Sequence, residues 1–147
     1  MDYDVRVEKP YDLERFVTAQ NDLGMYDRAL GELRQGLKVG HWMWYVFPQV
    51  SGLGQSAMAQ RYAIGSLAEA QAYLRHPVLG PRLRECASIV AGHGDRTAEL
   101  YFGEIDALKL RSSMTLFLRA DPEETVFQRV LDVFFNGEAD PATDDYL

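Results

Sequence analysis

Apolar residues recur every three or four positions along most of this chain, as they do on the buried face of an amphipathic helix. Neither the strict alternation of a β-strand nor a two-residue hairpin signal is found. The sequence therefore predicts an all-α fold of about seven or eight helices. The predicted helices cover approximately 11–20, 25–38, 55–63, 66–76, 80–91, 97–102, 104–119 and 122–136.

Two of these helices carry clear N-terminal signals. Ser66 and Glu69 have the spacing of a capping box, in which each side chain accepts a hydrogen bond from the other end of the first turn. Asp121 is the predicted N-cap of the last long helix, with Pro122 at its first position and Glu124 completing a similar box. Both helices are therefore predicted to begin at these residues.

The remaining segments differ in how firmly they are expected to pack. The helix over 104–119 is apolar on more than one side, so we expect it to lie at the centre of the core. Gly40 is predicted to end the helix over 25–38. Residues 1–9 are expected to form a loose lead-in and residues 138–147 an acidic tail, both belonging to one helical domain over 1–147.

Composition narrows the class of protein. The chain has 147 residues, of which 47% are hydrophobic and 25% charged, as expected for one soluble globular domain. It has no apolar run long enough to span a bilayer and no secretory signal. Its single cysteine excludes an internal disulfide, which fits a reducing compartment. We therefore expect a cytoplasmic monomer. The formal charge of −7 disfavours binding to duplex nucleic acid.

The densest aromatic stretch covers residues 40–49 and contains both tryptophans of the protein. One interpretation is a ligand site in which Trp42 and Trp44 stack on a flat ring, Gln49 reads a ligand edge, and His41 is the candidate catalytic acid or base. The alternative is that both indoles fill the core. Common nucleotide-loop, nucleophile-elbow and zinc motifs are absent, so we expect no metal and no cofactor.

A second group of candidate residues lies on the helix predicted over 104–119. Lys109, Ser112 and Ser113 share a face of this otherwise apolar helix. Either these polar groups bond to neighbouring carbonyls, or they face a polar cavity that receives an anion. We hypothesise that they form one pocket with the aromatic stretch, with Tyr62 as a further lining residue.

Several runs of the sequence resemble the DUF1810 family of bacterial proteins. They are DLERF at 12–16, HWMWYVFPQ at 41–49, GLG at 52–54 with AxxYAI at 59–64, HPVLG at 76–80 and KLxSSMTLF at 109–117. The resemblance extends from about residue 11 to 147 and implies a single compact helical domain. It implies no activity, because the function of the family is unknown. Some members carry the name calpastatin, an inhibitor class whose disordered, aromatic-poor chains are unlike this one.

Two functions are therefore expected from the residues. The first is a pocket for a small anionic ligand, such as a nucleotide, with catalysis left open. The second is a protein-interaction module without catalytic activity. A concave site would favour the first and a flat apolar patch the second.

Overall fold

The computed structural model describes residues 11–147, so the lead-in predicted for residues 1–9 lies outside it. The described chain is a single all-α domain without named strands, which confirms the predicted fold class. An isolated parallel bridge joins Val50 to Ile64. The α-helices are α1 (Glu14–Asn21), α2 (Met25–Gln35), α3 (Met43–Val46), α4 (Ala57–Arg61), α5 (Leu67–Arg75), α6 (Leu79–Ala91), α7 (Ala98–Phe102), α8 (Glu104–Ala120), α9 (Thr125–Phe134) and α10 (Pro141–Asp144).

Helix α8 is the central element, as its sequence predicted. Nine of its 17 residues are buried, and α5, α7, α9 and α10 all pack against it. Its first turns are different, since Ile105 is 71% exposed and Leu108 66%. The apolar face of α8 is therefore exposed at these two residues and becomes buried in the core only in the later turns of the helix.

The predicted cap of α5 is confirmed. The Ser66 hydroxyl accepts a hydrogen bond from the Glu69 N–H at 3.1 Å. The Glu69 carboxylate accepts the N–H of Gly65 at 2.8 Å, one residue before the position expected for a capping box. The same carboxylate pairs with Arg15 at 3.1 Å, so this cap also connects α5 to α1.

The predicted start of the last long helix is wrong. Helix α9 begins at Thr125, and Asp121 instead accepts the N–H of Glu123 at 3.3 Å within a turn. The backbone of Glu124 is extended, with φ −80° and ψ 114°, which places this residue at the N-cap position. The turn is needed because α8 ends at Ala120, only five residues earlier, and the chain must change direction between the two helices.

The predicted end of the second helix is also wrong. Gly36, rather than Gly40, terminates α2, because it adopts a left-handed conformation with φ 79° and its N–H bonds the carbonyls of Glu32 and Leu33. The chain beyond Gly36 then runs past α7, where the N–H of Lys38 donates to the carbonyl of Tyr101 at 2.8 Å. This early helix end positions Lys38 for the contacts described below.

The acidic C-terminal segment is attached to α8. Arg111 donates to the carbonyls of Glu138 and Ala139 at 2.9 and 2.8 Å. Arg119 makes a two-point contact with Asp144 at 2.8 and 2.9 Å. Such planar paired contacts are geometrically specific, so this segment forms part of the folded domain.

None of the helices in the 11–147 range combines the length and the apolar character needed to cross a bilayer.

Candidate functional site

Trp42 belongs to the hydrophobic core. Its side chain is completely buried, and its indole N–H donates to the carboxylate of Glu32 at 2.8 Å. The ammonium of Lys38 lies 4.9 Å from the centre of its ring. The indole N–H and the ring of Trp42 therefore both make contacts within the fold.

Glu32 organises the segment that leads to Trp42. One of its carboxylate oxygens also accepts the N–H groups of Val39 and Gly40 at 2.8 and 2.9 Å. Burial raises the pKa of Glu32, but the hydrogen bonds from Gly40, Val39 and Trp42, together with the charge of Lys38, outweigh burial and lower it. Glu32 is thus held as an anion that fixes the start of the aromatic stretch.

Trp44 and Lys109, two residues of the hypothesised joint pocket, are in contact. Trp44 is partly exposed, and the Lys109 ammonium lies 5.0 Å from the centre of its ring. The same ammonium is 3.7 Å from Asp106, whose other oxygen lies 2.7 Å from Lys38. Asp106 therefore faces two lysines and lies much closer to one of them.

The two lysines differ in how completely they are engaged. The Lys38 side chain is only 6% exposed, and its ammonium also donates to the carbonyl of Gly40. The Lys109 side chain is 22% exposed, and within residues 11–147 its only ion pair is the long contact with Asp106. Of these two lysines, Lys109 is consequently the one whose ammonium can bind a further anion.

Two buried side-chain polar atoms have no hydrogen-bond partner within residues 11–147. They are the indole nitrogen of Trp44 and the hydroxyl oxygen of Ser113, and among the described residues no other buried side-chain nitrogen or oxygen lacks one. Ser113 follows Lys109 by four residues and so lies on the same face of α8. Unsatisfied buried polar groups are rare in folded proteins, and both of these belong to residues that the sequence analysis selected.

The remaining candidates from α8 and the aromatic stretch are placed differently. Ser112 lies 2.7 Å from the carboxylate of Asp140 and 3.1 Å from the carbonyl of Leu108, so its hydroxyl faces the C-terminal segment. His41 is exposed to solvent. The structure brings neither of them to the contact between Trp44 and Lys109.

Gln49 and Tyr62 lie at two further locations. Gln49 lines a cleft of about 320 Å³ beside α4. Tyr62 is buried against Phe16 and Tyr45, with ring centres 5.8 and 5.4 Å away, and borders a groove of about 500 Å³. The predicted residues therefore divide among several places, of which one joins Trp44 to Lys109, with Ser113 one helical turn further along the same face of α8.

We call this place the Trp44–Lys109 corner and define it by Lys38, Trp44, Asp106, Lys109 and Ser113. Lys38 and Asp106 were not predicted from the sequence. The spacing of Asp106 and Lys109 on one helix face was a usable signal for the second of these. No local pattern indicated Lys38, because its contact with Asp106 joins residues far apart in the chain.

Comparison with known proteins agrees with the fold. The model of the family described as "Protein of unknown function (DUF1810)" matches residues 10–147. A crystal structure of the conserved hypothetical protein Rv1873 from Mycobacterium tuberculosis is 50% identical in sequence and has a TM-score of 0.91. That match covers 95% of this chain and 98% of the other. The search of curated proteins gave no match.

Proposed function

The chain belongs to the DUF1810 family, whose function is unknown, and we propose that it binds a small anionic molecule carrying a flat ring, such as a nucleotide, at the Trp44–Lys109 corner. The proposal is supported by one observation above all, which is a set of hydrogen-bond donors with spare capacity there: two are buried without a partner, and the third, Lys109, has only a 3.7 Å contact with Asp106. The indole nitrogen of Trp44 is only a donor, the ammonium of Lys109 is only a donor, and the Ser113 hydroxyl can donate.

Three donors with spare capacity favour a ligand that brings oxygen acceptors. A phosphate or carboxylate group supplies several such oxygens and a negative charge, and hydrogen bonds to charged groups are about twice as strong as neutral ones. Lys109 is the donor with access to solvent, since its side chain is 22% exposed. The anionic group of the ligand therefore contacts Lys109 first.

The ring of the ligand stacks on Trp44. The Lys109 ammonium now lies over this ring, so no other side chain of the core is packed at that position, and a planar group can take the place of the ammonium. On binding, the ligand ring replaces the ammonium over the indole, and the ammonium turns to the anionic group. The indole nitrogen and the Ser113 hydroxyl are both buried without a hydrogen-bond partner, and the same movement makes them available to the oxygens of the ligand.

The proposal concerns binding and assigns no reaction. His41, the candidate acid or base, is exposed and lies outside the corner. Should turnover of a ligand be found, exchanging His41 for glutamine tests its role, because glutamine keeps some hydrogen bonding but does not titrate. A pH profile unchanged by this exchange would remove His41 from consideration.

The setting of the proposed activity is the cytoplasm, and the active form is a monomer that does not bind duplex nucleic acid. The single cysteine, Cys86, is buried, and burial raises its pKa to about 12, which suits an inert thiol in a reducing compartment. The net charge of −7 opposes a phosphate backbone while leaving local sites for single anions.

A thermal-shift screen tests the proposed ligand class. Nucleoside mono- and diphosphates are compared with uncharged nucleosides and with inorganic phosphate, and the nucleotides are expected to raise the melting temperature most. Lys109→Met is expected to weaken binding about tenfold to a hundredfold through loss of a charge-assisted contact. Arg129→Met is the matched control, because Arg129 is exposed, lies on α9 and carries the same charge.

Two results would contradict this function. The first is the absence of a thermal shift with every anionic ring compound. The second is an equal effect of Lys109→Met and Arg129→Met, which would show that only the overall charge matters.

A second candidate function is a protein-interaction module, favoured by a specific apolar surface. Five large apolar side chains near the junction of α7 and α8 are each more than half exposed. They are Leu37, Val39, Leu100, Ile105 and Leu108. The exposed acidic residues Glu99 and Glu104 lie beside them in sequence, so the partner that fits is an amphipathic helix with basic flanks.

The variant Leu100→Glu distinguishes this second candidate from the first. It is expected to abolish binding of a basic amphipathic helix while leaving nucleotide binding intact. Leu23→Glu is the control, because Leu23 is 78% exposed in a different part of the fold. Equal effects of the two exchanges would exclude a specific role for the surface at α7 and α8.

A further inference from the structure

A cleft of about 320 Å³ lies between α4 and the chain segment that follows the aromatic stretch. Its floor is held by the bridge between Val50 and Ile64, in which the Ser51 N–H donates to Ile64 at 2.8 Å and the Ile64 N–H donates to Gln49 at 2.9 Å. Val50 and Ile64 are both buried. The cleft is thus built on a fixed part of the core.

Uncharged polar groups dominate the wall of this cleft. Among the described residues, no acidic or basic side chain lines it, although a quarter of the chain is charged. The polar side chains come from Gln49, Ser51, Gln55 and Gln60. Such a wall supplies no counter-charge for an ion and too little apolar surface for a hydrophobic ligand.

Gln49 is the best-placed of these groups for a ligand. It is half-buried, and its amide makes no hydrogen bond to another side chain or backbone group within residues 11–147. Its two N–H donors and its carbonyl acceptor are therefore available together. Gln60 uses an N–H on the carbonyl of Gln55 at 3.1 Å, which leaves the carbonyl of its own amide for a further donor.

An exposed aromatic ring packs on one residue of the cleft wall, Gly52. Tyr146 packs directly on Gly52, where a Cβ atom would lie 2.5 Å from the tyrosine ring, so only glycine allows this contact. The tyrosine remains 53% exposed, and Gly52 lines the cleft. An open ring next to paired amide donors and acceptors is suited to a molecule with apolar C–H faces and a rim of hydroxyl groups.

We propose that the cleft beside α4 is a second binding site, which takes a neutral saccharide. The amide of Gln49 bonds two neighbouring hydroxyl groups, one as donor and one as acceptor, and the sugar face rests near Tyr146. The site is independent of the Trp44–Lys109 corner, because no residue of that corner lines the cleft.

Two-dimensional amide NMR on the whole chain tests the proposal. Glucose, N-acetylglucosamine and maltose are titrated to high millimolar concentration, with glucose 6-phosphate as the charged counterpart and uncharged nucleosides as planar ligands. The side-chain amide of Gln49 and the backbone amides of Gly52 and Gly54 are expected to shift with at least one neutral sugar. The indole signal of Trp44 reports the other site in the same spectra.

The variant Gln49→Glu separates a specific site from surface effects. It keeps the size of the side chain, removes its N–H donors and is expected to weaken sugar binding by about tenfold, the effect of losing one good hydrogen bond. Gln35→Glu is the matched control, because Gln35 is exposed and the charge change is identical. Unchanged binding by Gln35→Glu and weakened binding by Gln49→Glu would support the site.

Three outcomes would overturn the proposal. The first is that no neutral sugar shifts the signals of Gln49, Gly52 and Gly54. The second is that sugars shift the indole of Trp44 instead. The third is that uncharged nucleosides or glucose 6-phosphate bind these amides more tightly than every neutral sugar, which would assign the cleft to another class of ligand.

Discussion

Exchanging Ser113 for alanine is expected to stabilise the protein in the absence of ligand. The Ser113 side chain is completely buried in α8 and its hydroxyl has no partner, so folding removes that hydroxyl from water without compensation. Such a group costs about 1–3 kcal/mol, and alanine also has about 0.5 kcal/mol better helix propensity than serine. The free energy of unfolding is therefore expected to rise.

Ser112 provides the control because it is the neighbouring residue in the same helix. Its hydroxyl bonds the Asp140 carboxylate at 2.7 Å, and a hydrogen bond to a charged group contributes about 1.5–3 kcal/mol. Ser112→Ala also gains helix propensity, so a net loss of about 1–2 kcal/mol is expected. The same chemical change at adjacent positions should therefore shift stability in opposite directions.

Urea unfolding followed by circular dichroism measures both effects, and thermal unfolding provides a check. For a chain of this length, each kcal/mol corresponds to about 2–4 °C in the melting temperature. If Ser113→Ala destabilised the protein as much as Ser112→Ala, the Ser113 hydroxyl would be bonded in solution. It would then no longer be an unpaired donor at the proposed site.

Two further predictions concern the fold. Gly80→Ala is expected to destabilise the protein by about 1–3 kcal/mol, because a Cβ atom there would lie 2.1 Å from the backbone oxygen of Leu74. Gly31→Ala is the control and should be neutral or stabilising in the same urea titration, because a Cβ atom at Gly31 would have no neighbour within 4 Å. Equal effects of the two exchanges would contradict the steric argument. The lowered pKa of Glu32 contributes stability that is present above the usual glutamate pKa and is lost as the pH falls through its folded value. Unfolding at a series of pH values should therefore show a shallower acid dependence for Glu32→Gln than for the wild-type protein, and an identical dependence would mean that Glu32 is not the group responsible.

Local signals in the sequence predicted the helices well and their ends less well. The serine cap at Ser66 depends on contacts within four residues, so it was visible in the sequence. The start of α9 depends on where α8 ends and on the turn between them, so the local Asp121–Glu124 pattern was misleading. Gly40 was predicted to end α2, and only the path of the chain past Tyr101 shows that the helix ends earlier, at Gly36.

The candidate site was predictable only in part, for a similar reason. The sequence indicated polar residues on α8 and a group of aromatic residues elsewhere, and the structure joins Trp44 to Lys109. It could not show that adjacent serines face different neighbours, since the partner of Ser112 is Asp140, supplied by a segment 28 residues away. Nor could it separate Trp42 from Trp44, because the acceptor Glu32 belongs to another helix.

The end of α2 has a consequence for the proposed binding site. Because Gly36 stops the helix, residues 37–40 run beside Tyr101 and place the Lys38 ammonium 2.7 Å from Asp106. Asp106 is then largely neutralised by a buried lysine and holds Lys109 only at 3.7 Å. Without Lys38, Asp106 would be free to pair closely with Lys109 and would compete with any anion for it. In the proposed site, a buried lysine that does not contact the ligand would therefore keep the second lysine available for the anion.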